Sequence, residues 1–145
     1  MLQAGLESLR WLTEIQHADG EDSYFVPIGS NGFYPRHGER ARFDQQPVEA
    51  QAMVSACLEA YRITGRKYWQ MEARRAFEWF LGRNSLQKPL YDFATGGCSD
   101  GLGSEALNEN EGAESTLALH QAALALDAAG IRASTPARTL ERALA

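Results

Sequence analysis

The sequence lacks most of what would assign it to a class at sight. It has no excess of positive charge: 14 lysines and arginines stand against 19 aspartates and glutamates, a net charge of -5. Nucleic-acid binding usually shows as a basic face, so no such partner is expected. No apolar run approaches the roughly 20 residues needed to span a bilayer, so no membrane partner is expected either. The opening MLQAGLESLRWL has no basic stretch followed by an apolar core and does not read as a secretory signal. Cysteine is scarce: Cys57 and Cys98 make neither a disulfide framework nor a metal-ligand set. A reduced, cytoplasmic protein is the expectation. His17, His37 and His120 show no zinc spacing, so no metal is expected. Gly29-Ser30-Asn31-Gly32 and Gly96-Gly97 match neither a P-loop nor a dinucleotide fingerprint, and no cofactor is expected. No Ser-His-Asp or Cys-His motif is recognisable. Strand patterns are missing too, since Val26-Pro27-Ile28 is short and carries a proline.

What remains is helical. The chain has 145 residues, 44% apolar and 23% charged, which suits one soluble domain over residues 1–145 with a buried core. Leu2, Leu6, Leu9, Leu12 and Ile15 recur at three- and four-residue steps and predict a helix from Leu2 to His17. From Glu21 to Gln46 no period holds. Phe25, Phe33, Tyr34 and Phe43 there predict an ordered loop pinned onto the domain. Pro47 opens a second helix as a first-turn proline, with Met53, Ala56, Cys57, Ala60 and Tyr61 as its apolar stripe and Gly65 as its stop. A third helix runs from about Tyr68 to Leu81, burying Trp69, Ala73, Ala76, Phe77 and Phe80. The short connection predicts an antiparallel hairpin. Glu114 to Ala129 is a fourth helix, alanine-rich and apolar nearly all round, so it is expected to be buried on most sides. Ser134 or Thr135 caps a last short helix starting at Pro136. The fold class expected is all-α, about five helices with long polar loops. Helical hairpins of this kind, with inner helices apolar all round and outer ones amphipathic, are the grammar of an α/α toroid.

The segment Tyr91 to Thr116, YDFATGGCSDGLGSEALNENEGAEST, interrupts this pattern with glycines, asparagines and six carboxylates. A polar loop of that length in a compact domain carries function or is disordered. Its aromatic and small residues favour function, and its content suits the rim of a sugar site. Sugar hydrolysis commonly uses two carboxyl groups, and Asp100, Glu111 and Glu114 are the candidates. The same residues also suit helix capping: Glu111 lies just before the predicted helix start, Asn110 is a cap residue, and Glu114 falls in the first turn. Asp44, Gln45, Gln46 and Glu49 form a second polar cluster. They suit either a cap for the helix at Pro47 or contacts to a hydroxyl-rich ligand, which needs both donors and acceptors. Tyr34 and Tyr91, on loops, are candidates to stack on sugar rings, whereas Trp79 reads as core. Arg36, His37, Arg40 and Arg42 read as a solvated basic loop or an anion contact. His17 and His120 read as structural.

At FDQQPVEAQAM (Phe43 to Met53), WFLGRN (Trp79 to Asn84), GGCSDGL (Gly96 to Leu102) and NENEGAESTLA (Asn108 to Ala118) the sequence resembles a bacterial protein family. Its members have a six-hairpin α/α toroid like many glycoside hydrolases, and some carry glycosyltransferase or glycosyltransferase-associated names. The resemblance extends from Leu6 to about Ala129. A further similarity is to family 9 glycoside hydrolases, which carry an LGRN-like segment and then an Asn-Glu dipeptide whose glutamate is the general acid. Carried over, that role falls on Glu111. The His-Arg pair those enzymes place between the two segments is absent here. A full toroid needs roughly twice this chain. The resemblance therefore implies the C-terminal part of a larger toroid, which would form a homodimer or pack on the remainder. The function implied is action on a glycan, or binding of one, at a carboxylate-lined site. The alternative is a non-catalytic glycan-binding or scaffold module that docks on a glycosyltransferase partner. Two carboxyls facing each other at roughly 5 to 10 Å would favour catalysis, and carboxyls engaged in caps or ion pairs would favour the module.

Overall fold

The computed structural model describes residues 1–20 and 23–132. Helix α1 is Leu2–Ile15, α2 is Pro47–Thr64, α3 is Lys67–Glu78 and α4 is Ala113–Ala128. The described chain is predominantly helical, in agreement with the all-α class. The helix expected from Pro136 lies outside the described residues. None of the described helices is long and apolar enough to cross a membrane.

Local chemistry explains the limits of α2. Pro47 occupies its first turn, and Gly65 ends it in the left-handed region (φ 65°), donating its N–H to the Tyr61 carbonyl. The buried face of α2 differs slightly from the expected stripe. Ala50, Met53, Val54, Cys57 and Ala60 are buried, whereas Ala56 is exposed. The stripe is rotated because α2 packs on both α3 and α4. Helix α3 buries Trp69, Ala73, Ala76 and Phe77, and beyond it Trp79 and Phe80 are fully enclosed. These residues share one core with Phe25, Leu90, Leu102, Leu119, Ala122 and Leu126. The α3 helix also buries three charged side chains, Glu72, Arg75 and Glu78.

After α3 the chain turns tightly. Gly82 adopts φ 100°, a conformation that side chains resist, and a Cβ there would press on the Pro89 backbone nitrogen at 3.1 Å. Arg83 turns back to Glu78 at 2.9 Å. Asn84 is buried and donates to the Trp79 and Lys88 carbonyls at 2.9 and 2.8 Å. The Gly82-Arg83-Asn84 run is thus a turn built to hold the end of α3.

Three expectations are corrected. A small sheet exists: β1 (Gly101–Leu102) pairs antiparallel with β2 (Leu107–Asn108), and Gln45 bridges to Leu102 on its other side. Two residues per strand leave no period for sequence patterning to detect. In the loop before α2, Phe25 is fully buried and Phe43 packs on the core, but Phe33 and Tyr34 face solvent. Helix α4 is buried on one side only. Ser115, Ala118, Leu119, Ala122 and Leu126 face the core, while Leu117 and Leu124 are 57% and 69% exposed.

Candidate functional site

The glycine-rich segment is ordered by short-range bonds before it meets any helix. Asp92 Oδ1 accepts from the Ala94 N–H at 2.6 Å, an Asx turn that reverses the chain. Tyr91 bridges to Cys98, and the Ser99 N–H reaches the Leu90 carbonyl at 2.9 Å. The β1–β2 hairpin then projects from this base.

Asp100 binds this segment to α4. Its Oδ1 accepts from the Gly112 N–H at 2.8 Å and the Ser115 hydroxyl at 2.7 Å, and its Oδ2 accepts from Asn110 Nδ2. A cap normally comes from the residue adjoining the helix. Here Gly112 occupies that place without a side chain, and α4 has no side-chain cap; Asp100, twelve residues upstream, instead anchors the helix start by accepting from the Gly112 N–H itself and from the Ser115 hydroxyl. The glycine is required, since a Cβ at 112 would lie 2.7 Å from Asp100 Oδ1. The Ser115 and Asn110 hydrogen bonds, with that of Gly112, hold the Asp100 carboxyl below the usual aspartate range.

The other acids lie elsewhere. Glu111 is exposed and accepts from the Thr95 hydroxyl at 2.9 Å, with its carboxylate lying over Gly97. Glu114 is exposed in the first turn of α4 and makes no hydrogen bond or ion pair among the described residues. Burial, aided by the charges of Asp100 and Glu111, pushes the Cys98 thiol up to about 12. His120 reaches the Gly96 carbonyl at 2.9 Å, tying α4 to the same turn.

A groove of about 250 Å³ opens on the outer side of the hairpin. Asp44 and Gln46 line it from the segment before α2, and Gly101, Leu102, Gly103, Ala106, Leu107 and Asn108 line it from the hairpin. Gly101 makes room for Gln46, since a Cβ there would come within 3.2 Å of its Nε2; at Gly103 a Cβ would press on the Ala106 carbonyl oxygen at 3.1 Å and would meet Asp44 Oδ1 at an ordinary 3.7 Å. The side chains of Asp44 and Gln46 have no protein partner among the described residues, so their donors and acceptors face the groove. Glu49 is exposed one turn into α2, where a carboxylate complements the helix dipole.

Gln45 is a correction. Expected at the mouth of the site, it is 1% exposed. Its Oε1 accepts from the Trp79 indole N–H at 2.8 Å, and its Nε2 donates to the Arg42 carbonyl at 3.0 Å. With both ends of the amide engaged, Gln45 secures the floor beneath the groove. Tyr34 stacks on Trp11 (centroids 6.3 Å, planes 7° apart), and Tyr91 meets Phe93 edge-on at 4.7 Å. Asp44 and Gln46 are brought to the groove; Glu111 and Glu114 are not among the residues lining it. Asp100 adjoins it through Gly101 but is turned toward α4. Among the described residues no group of three or more histidines, cysteines or acids could hold a metal ion.

The groove residues that sequence reading passed over are Ala106, Leu107 and Asn108. The only available signal was their place between glycines and asparagines, which marks a turn without fixing its partner. No known family model and no characterised protein matches the chain.

Proposed function

We infer that this chain binds carbohydrate through the Asp44–Gln46 groove, as one wall of an α/α toroid. The observation that carries the reading is a carboxylate and a primary amide, both without protein partners among the described residues, beside two glycines in a groove. A sugar hydroxyl both donates and accepts. A carboxylate offers acceptors only, and an amide offers both. Glycine backbones let a ring approach closely. Of the three candidate carboxylates for proton transfer, Asp100 is engaged at the start of α4, and Glu111, on which the general-acid role falls by resemblance, is engaged with Thr95. That supports binding over hydrolysis.

The toroid assignment rests on helix character and packing. Helices α2 and α4 pack together with α3 against both, as inner, outer and inner helices of a ring would. The exposed Leu117 and Leu124 of α4 suit burial against further helices, from a longer chain or a second copy. A reducing cytoplasm suits two cysteines that are both free and buried.

The test is calorimetric titration with a panel of neutral and acidic oligosaccharides, with product release followed in parallel. Saturable binding is expected to weaken at least about tenfold in Asp44→Ala, since hydrogen bonds to charged groups contribute about 1.5–3 kcal/mol, and about two- to tenfold in Gln46→Ala, where a neutral hydrogen bond contributes about 0.5–1.5 kcal/mol. Binding that survives both substitutions sinks the groove assignment. Turnover lost in Glu111→Gln replaces the binding reading with the catalytic one.

A further inference from the structure

On the far side of α3, three side chains from separate segments form one hydrogen-bonded chain. Ser23 Oγ lies 3.1 Å from His17 Nδ1, and His17 Nε2 lies 3.1 Å from Glu72 Oε2. Glu72 is buried and paired with Arg75, whose Nε reaches Glu72 Oε2 at 3.1 Å and whose Nη2 binds the same oxygen. Arg75 is fixed in turn by the Gln16 carbonyl at 3.2 Å and by the Phe25 ring at 5.8 Å.

These contacts set the direction of the protons. A carboxylate paired with a guanidinium offers only acceptors. The imidazole nitrogen that faces it, Nε2, therefore carries the hydrogen. In the neutral ring Nδ1 then has a free lone pair, and its partner Ser23 must donate. A serine hydroxyl donating to a histidine, itself oriented by a carboxylate, is the arrangement that activates a serine nucleophile. The His17 side chain is 34% exposed, so solvent and a small substrate can reach the pair.

We propose that Ser23, His17 and Glu72 act as nucleophile, general base and orienting carboxylate in acyl transfer from a short-chain carboxylic ester. Ser23 Oγ bonds to the acyl carbon while His17 Nδ1 takes its proton. The ester C–O bond breaks, and the leaving alkoxide takes that proton from His17 and departs as the alcohol. Water then attacks acyl-Ser23, giving a proton to His17. The acyl–Oγ bond breaks, the carboxylic acid leaves and the proton returns to Ser23. Water is the only co-reactant. The Arg83 guanidinium, held by Glu78 at 2.9 Å, reaches the Ser23 backbone carbonyl at 3.5 Å and ties the serine's backbone to the end of α3. The groove takes no part, so this activity stands apart from glycan binding.

The test uses a fluorophosphonate probe and p-nitrophenyl acetate. The wild-type protein should be labelled and should release p-nitrophenol, and both should fall at least about 100-fold in Ser23→Ala and in His17→Gln. Activity retained in Ser23→Ala, as histidine acting alone would give, overturns the proposal, and so does an unlabelled wild type. A second readout avoids relying on lost activity. Ser23→Cys should react with iodoacetamide at least about ten times faster than the double variant Ser23→Cys/His17→Gln, because the imidazole draws the thiol proton. Cys57 and Cys98 are silent in that assay, being buried with thiols pushed up to about 12. Equal rates in the two variants overturn the proposal as well.

Discussion

The hairpin segment and the buried face of α3 both carry acidic residues, and they use them in opposite ways. In the segment from Tyr91 to Glu114 the acids stand at or near the surface, and most have at most one protein partner. On α3, Glu72 and Glu78 are buried at 6% and 1% exposure and are enclosed by Arg75, Arg74 and Arg83. Acid density therefore points to the wrong place for stability. The crowded acids leave acceptors open for a ligand, while the sparse ones hold helices together. Asp100 belongs in position to the first group and in role to the second, since it anchors the start of α4 through Gly112 and Ser115.

The contrast is sharpest under truncation. Glu72→Ala should leave Arg75 buried without its counter-charge and cost about 3–5 kcal/mol, read from the urea midpoint. A loss under about 1 kcal/mol would mean that the α3 charges are not a structural unit. Gln45→Leu should cost about 1–3 kcal/mol, because the buried Trp79 indole N–H loses its acceptor. Asp100→Ala should cost about 1–3 kcal/mol, because the Gly112 N–H and the Ser115 hydroxyl lose their acceptor.

The Asp100 contribution should also depend on pH. Its folded-state pKa is held below the ordinary aspartate value, so its stabilisation is fully present above that value. It is lost as pH falls through the folded pKa. Denaturation of wild type and Asp100→Ala should therefore converge on acidification from pH 7 to about pH 2. A gap that stays constant would mean that the ionised carboxylate does not anchor the start of α4.

At the small end, Asp44→Ala and Glu114→Gln should each change stability by no more than about 0.5 kcal/mol, as expected of exposed side chains without partners. A larger loss in Glu114→Gln would erase the distinction between the two regions.

Much of the helical frame was legible in the sequence. Pro47 and Gly65 mark the ends of α2 through backbone conformations that local sequence dictates. The α3 face with Trp69, Ala73, Ala76 and Phe77 follows from a 3.6-residue period. The site was legible only in part. Asp44 and Gln46 were singled out and line the groove, but Gln45 between them was read the same way and is buried. Neighbouring residues in an extended segment point to opposite sides, and only the position of Trp79 decides which side is inside. His17 read as a lone structural histidine because Glu72 lies 55 residues away.

Sequence by itself determined which of the described stretches become helices, where the second one begins and ends, and that the glycine-rich segment is not helical. Each of these depends on interactions spanning a few residues. Only the tertiary structure decided that Asp100 anchors the start of a helix it does not adjoin, that Gln45 serves Trp79, and that Ser23 and Glu72 meet on one imidazole. Those pairings join groups far apart in the chain. Nothing local distinguishes the right partner from the wrong one until packing of the apolar faces has fixed the distances.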